Sequence, residues 1–184
     1  MTGAFDWPRR MGVHEAYHQS RANRIVHWVC IPLQLLGVIE LLSQVRFASI
    51  DLALIAIAVV GALYVVAEMV AGVLMIVGML GLWAAAGRLT TGSSLVDAGL
   101  AAALLVAAFV FQTRVGHNVY EHGVDDTAMN VAELRRTKNP IPILLIFFYH
   151  LVELLFALGY RPALQREVAR HQETERARLA TTAP

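Results

Sequence analysis

The chain has 184 residues, of which 57% are hydrophobic and 16% charged, and its mean hydropathy is +0.56. Soluble domains usually carry about a quarter charged residues, and here the charges lie in blocks separated by long apolar stretches. This pattern indicates a lipid environment and a single membrane domain of helices spanning residues 1–184. The formal net charge of +1 gives no reason to expect a nucleic-acid partner. The lone Cys30 excludes an intramolecular disulfide and a cysteine metal cluster.

Residues 1–24 are polar and aromatic, without the apolar core of a secretory signal peptide, and we predict a short helix at the membrane interface. A helix bundle is expected over 25–158. Its apolar stretches, each long enough for a short crossing, are 25–42, 52–68, 70–87 and 95–115. A hairpin is predicted at Glu68–Gly72, because a charge at that depth needs water or protein partners.

Polar segments break the pattern at three places. Residues 46–51 and 88–94 read as turns, with Ser93 and Ser94 available as helix caps, and 116–139 is a longer polar loop. Residues 141–158 are apolar but contain His150 and Glu153, so we expect this segment to enter the membrane and return. The charged tail 159–184 is expected to be a solvated helix.

Lysine and arginine indicate the orientation. With four crossings, all of them except Arg46 and Arg88 lie on one side, which is then the cytosolic side. If residues 141–158 cross fully, the tail arginines move to the other side and the bias nearly vanishes. The prediction is therefore an all-α polytopic bundle of four or five transmembrane spans, and the four-span version is favoured.

Histidines and carboxylates cluster near the predicted membrane entries. His14 and His18 are four residues apart, which places them on one face of a helix, and His27 follows at the head of the first crossing. His117 and Glu121 repeat the spacing of four after the fourth crossing. An ionisable pair in the last apolar segment, His150 and Glu153, should face the protein interior and have a partner.

These groups suggest a metal site. Histidine with carboxylate and without sulfur suits non-haem Fe(II) or zinc. Isolated interfacial histidines are more often anchors or hydrogen-bond partners, and we read His122 and His171 in that way. Asp125 and Asp126 are as compatible with a helix cap as with a ligand role.

Three separated elements resemble the membrane 2-hydroxy fatty acid dioxygenases, the family typified by the yeast endoplasmic-reticulum enzyme of phytosphingosine degradation. The first is YH-x4-NR-x2-H-x4-P, formed by Tyr17, His18, Asn23, Arg24, His27 and Pro32. The second is FQ-x3-GH-x3-E, from Phe111 to Glu121, which is similar to the family's W-x2-Q-x2-GH-x3-E. The third is ELLFALGY at Glu153–Tyr160, and the AG and LM pairs within Ala71–Met75 also fit. The resemblance spans roughly residues 14–160.

The resemblance implies an Fe(II)-dependent dioxygenase that uses O₂ to shorten 2-hydroxy fatty acids by one carbon. It makes His18, His27 and His117 the expected iron ligands, with Glu121 and His14 close to them. The residues expected to take part in catalysis are His14, Glu121, His150 and Glu153. The residues expected to bind substrate are Asn23, Arg24, Arg135, Arg136 and Lys138.

One departure from the family supports a competing hypothesis. Where the family has a short basic-Pro-Ala turn, this chain has HGVDDTAMNVAELRRTKNPIP. Asp125, Asp126 and Asn130 would suit Mg²⁺, and the basic residues at 135, 136 and 138 would suit a phosphate or diphosphate. A magnesium site beside a phosphate-binding site would fit a membrane enzyme acting on a prenyl diphosphate, such as a terpene cyclase. A non-enzymatic membrane scaffold is the third hypothesis.

Overall fold

The computed structural model describes residues 6–121, 131, 134–135 and 138–182, and these residues are almost wholly helical. The helices are α1 (Trp7–Tyr17), α2 (Arg21–Ser43), α3 (Leu52–Ala67), α4 (Met69–Ala86), α5 (Ser94–Phe111), α6 (Ile141–Ala157) and α7 (Pro162–Thr182). A π-helix, Gln112–Tyr120, continues α5. The all-α prediction is confirmed. The turn predicted at 46–51 is a small antiparallel hairpin of β1 (Arg46–Phe47) and β2 (Ile50–Asp51).

Three helices are long and apolar enough to cross a membrane. They are α2, α4 and the continuous helix Ser94–Tyr120, which combines α5 with the π-helix. The helices α3 and α6 are equally apolar in character but shorter, with 16 and 17 residues. Length and composition therefore support a membrane protein with at least three candidate spans.

The described residues form two compact bodies. The first contains the chain up to Arg24 and from His117 onward, and the second contains Ile25–Gly116. Both divisions fall inside continuous helical segments, one in α2 and one in the π-helix.

In the second body, Glu68 forms the predicted hairpin between α3 and α4. Its extended backbone (φ −157°, ψ 119°) ends α3 and begins α4. The buried carboxylate accepts the Ala71 N–H at 2.7 Å and so caps the N-terminus of α4, where the helix dipole favours a negative charge. Gly72 lies directly against the Tyr64–Val65 backbone and leaves no space for a Cβ atom.

At the opposite end of α3 and α4, carboxylates organise the turns. Asp51 accepts the Leu54 N–H at 3.0 Å and the Trp83 Nε1–H at 3.0 Å, and so caps α3 and holds it to α4. The predicted serine cap of α5 is wrong in detail. Ser93 occupies the N-cap position, but its side chain makes no cap hydrogen bond. The Asp97 carboxylate accepts hydrogen bonds from the Thr91 backbone N–H and hydroxyl and thereby orders the turn.

In the first body, α1 packs between α6 and α7. Gly12 lies so close to Val168 and His171 of α7 that a Cβ atom would overlap both. Trp7 meets Phe148 of α6 edge-to-face, with ring centroids 5.5 Å apart. The tail helix is therefore not simply solvated, because its α1-facing side, including Val168, is buried.

Candidate metal centre

Four buried histidines meet in the first body. His14 lies in the last turn of α1, His18 directly follows that helix, His117 lies on the π-helix and His150 lies on α6. The ring centroid of His18 is 3.9 Å from that of His14 and 5.0 Å from that of His117. His150 lies 5.3 Å from His14 and 6.2 Å from His18. Each of the four is at most 5% exposed, which is unusual for four titratable side chains in one place.

The end of α1 determines how His18 is oriented. Its backbone is not helical (φ −112°, ψ 68°), and its Nδ1 lies 2.9 Å from the carbonyl oxygen of His14. Because a carbonyl can only accept, Nδ1 carries the proton, and in the neutral ring Nε2 carries the lone pair. Metal-binding histidines commonly donate their second N–H to a carbonyl in this way. His18 is thus oriented as a ligand through Nε2.

Within the first body, the structure brings together two of the three histidines that the resemblance implies as ligands, His18 and His117, whose ring centroids are 5.0 Å apart. Helix α2 is unbroken from Arg21, so His27 lies one turn after Asn23. His27 is buried in the second body, as His18 and His117 are in the first. Imidazole nitrogens bind a first-row metal at about 2.0–2.1 Å. A donor set of nitrogen alone suits Fe(II) or zinc better than Mg²⁺.

The π-helix places the side chains of Gln112 and His117 on the same face. In an α-helix, residues five apart point about 140° away from each other, whereas the i→i+5 bonds of a π-helix stack them on successive turns. Gln112 accepts the Gln34 Nε2–H at 2.7 Å, and His117 lies against His18. Neither the π-helix nor the Gln34–Gln112 pair follows from the sequence, although Gln112 belongs to the second motif.

Glu121 occupies a structural position at the start of α2. Its Oε1 accepts the Ser20 N–H at 2.7 Å and the Asn23 Nδ2–H at 3.2 Å. Glu121, predicted as a metal ligand or catalytic carboxylate, therefore lies near the histidines of the first body. Both of these hydrogen bonds join it to the α1–α2 junction.

A second polar group lies on the α6 side of the histidines. Arg24 Nη1 donates to Glu153 Oε1 at 3.0 Å, and Glu153 Oε2 is 3.7 Å from His150 Nδ1. The predicted catalytic residues His14, His150 and Glu153 are thus brought together beside His18. The sequence analysis missed Glu15, which is 7% exposed and whose pKa is raised to about 7, first by burial and then by the charge of Glu153. No local pattern marks Glu15, because it is buried by packing between distant helices.

The competing magnesium site cannot be placed. Asp125, Asp126 and Asn130 lie outside the described residues, as do His122 and Arg136. Arg135 and Lys138 are exposed. The nearby Asn139 has a local role, since its Oδ1 accepts the Ile141 N–H at 3.1 Å at the start of α6.

Comparison with known proteins identifies no relative: no family model, no curated protein and no solved structure matches the chain. The chemistry of the buried histidines therefore carries the functional argument, together with the three sequence elements described above.

Proposed function

We propose that the chain is a multi-pass membrane dioxygenase that holds iron through His18, His27 and His117 and removes one carbon from a 2-hydroxy fatty acid. The observation that best supports this is the buried group of histidines in the first body, in which the ring centroids of His18 and His117 are 5.0 Å apart. The same three histidines belong to the sequence elements that resemble the 2-hydroxy fatty acid dioxygenases.

Three neutral imidazoles leave open coordination positions on an ion. A 2-hydroxycarboxylate offers two oxygen ligands, which would use two of those positions and orient the substrate. Iron bound at the triad would supply the redox chemistry with dioxygen. The overall conversion balances as 2-hydroxy acid plus O₂ giving the fatty acid one carbon shorter, carbon dioxide and water.

The surrounding residues supply orientation and proton transfer. The His14 carbonyl holds the His18 ring with Nε2 directed as a ligand. His14 and His150, with Glu153 Oε2 3.7 Å from His150 Nδ1, form the group that would accept and return the substrate hydroxyl proton. Arg24 has further N–H donors besides the one bonded to Glu153, and these would bind the substrate carboxylate.

Membrane topology fits this proposal. With α2, α3, α4 and the helix from α5 through the π-helix as four crossings, an even number of crossings separates His18 from His117, so both lie on one side. The excess of basic residues on that side would make it the cytosolic side. Substrate carboxylate would approach from this interface, and the acyl chain would lie among the apolar helices.

The deciding experiment combines metal analysis with oxygen uptake. Protein purified in detergent should contain stoichiometric iron after anaerobic loading, and a 2-hydroxy fatty acid should give equal amounts of O₂ consumed and CO₂ released. The unsubstituted fatty acid of equal length is the substrate control. His18→Ala, His27→Ala and His117→Ala should each lose iron and activity, whereas His171→Ala, a histidine on α7, should retain both.

Two outcomes would overturn the proposal. Magnesium-dependent turnover of a prenyl diphosphate without iron would favour the site at Asp125, Asp126 and Asn130. Folded protein that retains no metal and consumes no oxygen would favour a scaffold role.

A further inference from the structure

The start of α2 carries an incomplete capping box. Ser20 is the N-cap residue, and its Oγ accepts the Asn23 N–H at 3.4 Å. In a complete box, a Glu or Gln at the third helical position reaches back to the N-cap N–H. Here that position is Asn23, whose amide donates to Glu121 at 3.2 Å. The Ser20 N–H donates to the Glu121 carboxylate at 2.7 Å, across 101 residues of sequence. Glu121 thus completes the box in place of a local acidic residue.

Glu121 is also tied to His117. Its backbone N–H donates to the His117 carbonyl at 3.2 Å, so the two residues lie one helical turn apart. On the other side of the carboxylate, Ser20 lies two residues after His18. A single side chain therefore connects the segment that carries His117 to the segment that carries His18.

We propose that Glu121 is a positioning residue that holds His117 against the α1–α2 junction, and that it is not itself a ligand of the metal. This inference rests on the proposed metal site. Both hydrogen bonds use Oε1, and the carboxylate lies where the positive end of the α2 dipole stabilises a negative charge. A carboxylate that moved to bind the ion would leave the Ser20 N–H and the start of α2 without this cap.

Glu121→Gln separates the two roles, because the amide oxygen of glutamine can accept both hydrogen bonds but is a poor metal ligand. Cobalt(II) is a suitable probe, since its d–d absorption reports the ligand set. We expect Glu121→Gln to keep the wild-type spectrum, with an affinity within about threefold. Glu121→Ala should also keep the spectrum at saturation but bind cobalt roughly 10–100-fold more weakly. Val119→Ala, an exposed neighbour on the π-helix, is the matched control and should bind normally.

Asn23→Ala gives an independent test, because it removes one of the two bonds to Glu121. The affinity loss in Asn23→Ala combined with Glu121→Ala should be no greater than in Glu121→Ala alone. If Glu121→Ala fails to fold, Glu121→Gln and the single variant Asn23→Ala, which should weaken cobalt binding without changing the spectrum, remain decisive.

The outcomes separate this inference from the proposed function. Wild-type protein that binds no cobalt would overturn the metal site and the role of Glu121 with it. Wild-type binding with an altered spectrum in Glu121→Gln would make Glu121 a ligand and leave the metal site standing. Unchanged affinity in Glu121→Ala would remove the positioning role alone.

Discussion

Arg24, in the first turn of α2, donates from Nη1 to Glu153 Oε1 on α6 at 3.0 Å, although the two residues are 129 positions apart. The Arg24 side chain is 36% exposed and that of Glu153 is 13% exposed, so solvent screens part of the attraction. We expect a double-mutant cycle with Arg24→Met and Glu153→Gln to give a coupling of about 1 kcal/mol. Thermal unfolding in detergent at low and high salt would measure it, and strictly additive effects would contradict the pair's contribution.

Metal binding should stabilise the folded chain, because the triad exists only in the folded state. A ligand present at 100 times its Kd adds about 2.7 kcal/mol. Iron(II) or cobalt(II) should therefore raise the melting temperature of the chelator-treated protein. His117→Ala should show no such rise, and His171→Ala should respond like the wild type. A similar rise in both variants would place the bound metal elsewhere.

The π-helix can be tested by removing one residue from it. Deletion of the exposed Arg114 would favour regular α-helix and leave Gln112 and His117 four residues apart, about 40° from each other and so still on one face. We therefore expect the deletion variant to retain metal, as should Arg114→Ala, which leaves the length of the π-helix unchanged. Metal content measured on folded, monodisperse protein is the readout. Loss of metal by the deletion variant alone would show that the π-helix itself is needed to orient His117.

Glu15 should make stability depend on pH. Burial raises its pKa from an ordinary 4.5 to about 7 in the folded chain, so folding takes up a proton between these two values. The stabilisation is complete below about pH 4.5 and is lost as the pH rises through about 7, with an upper limit of about 3 kcal/mol. In Glu15→Gln, the melting temperature should change less with pH between about 5 and 8, the interval that contains the raised pKa of Glu15. The charged groups that act on Glu15 are His14, Arg24, Glu153 and Arg176.

The assignment of this pH dependence to Glu15 would be contradicted if the melting temperature of Glu15→Gln fell with rising pH as steeply as that of the wild type. The slope would then belong to one of the neighbouring groups.

The contact between α1 and α7 depends on a glycine. A Cβ atom at Gly12 would lie 2.5 Å from His171 Cβ and 2.7 Å from the Val168 carbonyl oxygen. Gly12→Ala should therefore destabilise the fold by about 1–3 kcal/mol. Gly78→Ala is the matched control, since nothing lies within 4 Å of its Cβ position and alanine favours a helix. Equal melting temperatures for the two variants would show that α1 and α7 can separate without loss.

Much of the helical framework was predictable. Long apolar runs indicated the helices from α2 to α6, and the single charge at Glu68 marked the hairpin between α3 and α4. Both signals are local, because lipid selects whole apolar segments and penalises a charge wherever it lies. The cap that satisfies Glu68 is also local, since its acceptor lies three residues from the donor at Ala71.

Features that depend on distant partners were not predictable. The π-helix, the burial of Glu15 and the packing of α7 on α1 each require two segments to meet. Glu121 illustrates the difference, because its spacing from His117 suggested a ligand, whereas its bonds to Ser20 and Asn23 place it at a helix cap.

The sequence alone determined that histidines and carboxylates cluster near the predicted helix ends, because residue spacing assigns side chains to helix faces and ends. The choice of His18, His27 and His117 as predicted ligands rested on the resemblance of three sequence elements to the 2-hydroxy fatty acid dioxygenases. Only the tertiary structure decided that the rings of His18 and His117 lie 5.0 Å apart, and that His14 and His150 lie beside His18. The reason is physical: periodicity specifies the direction of a side chain around its own helix, but the distance between two helices is decided by what packs between them.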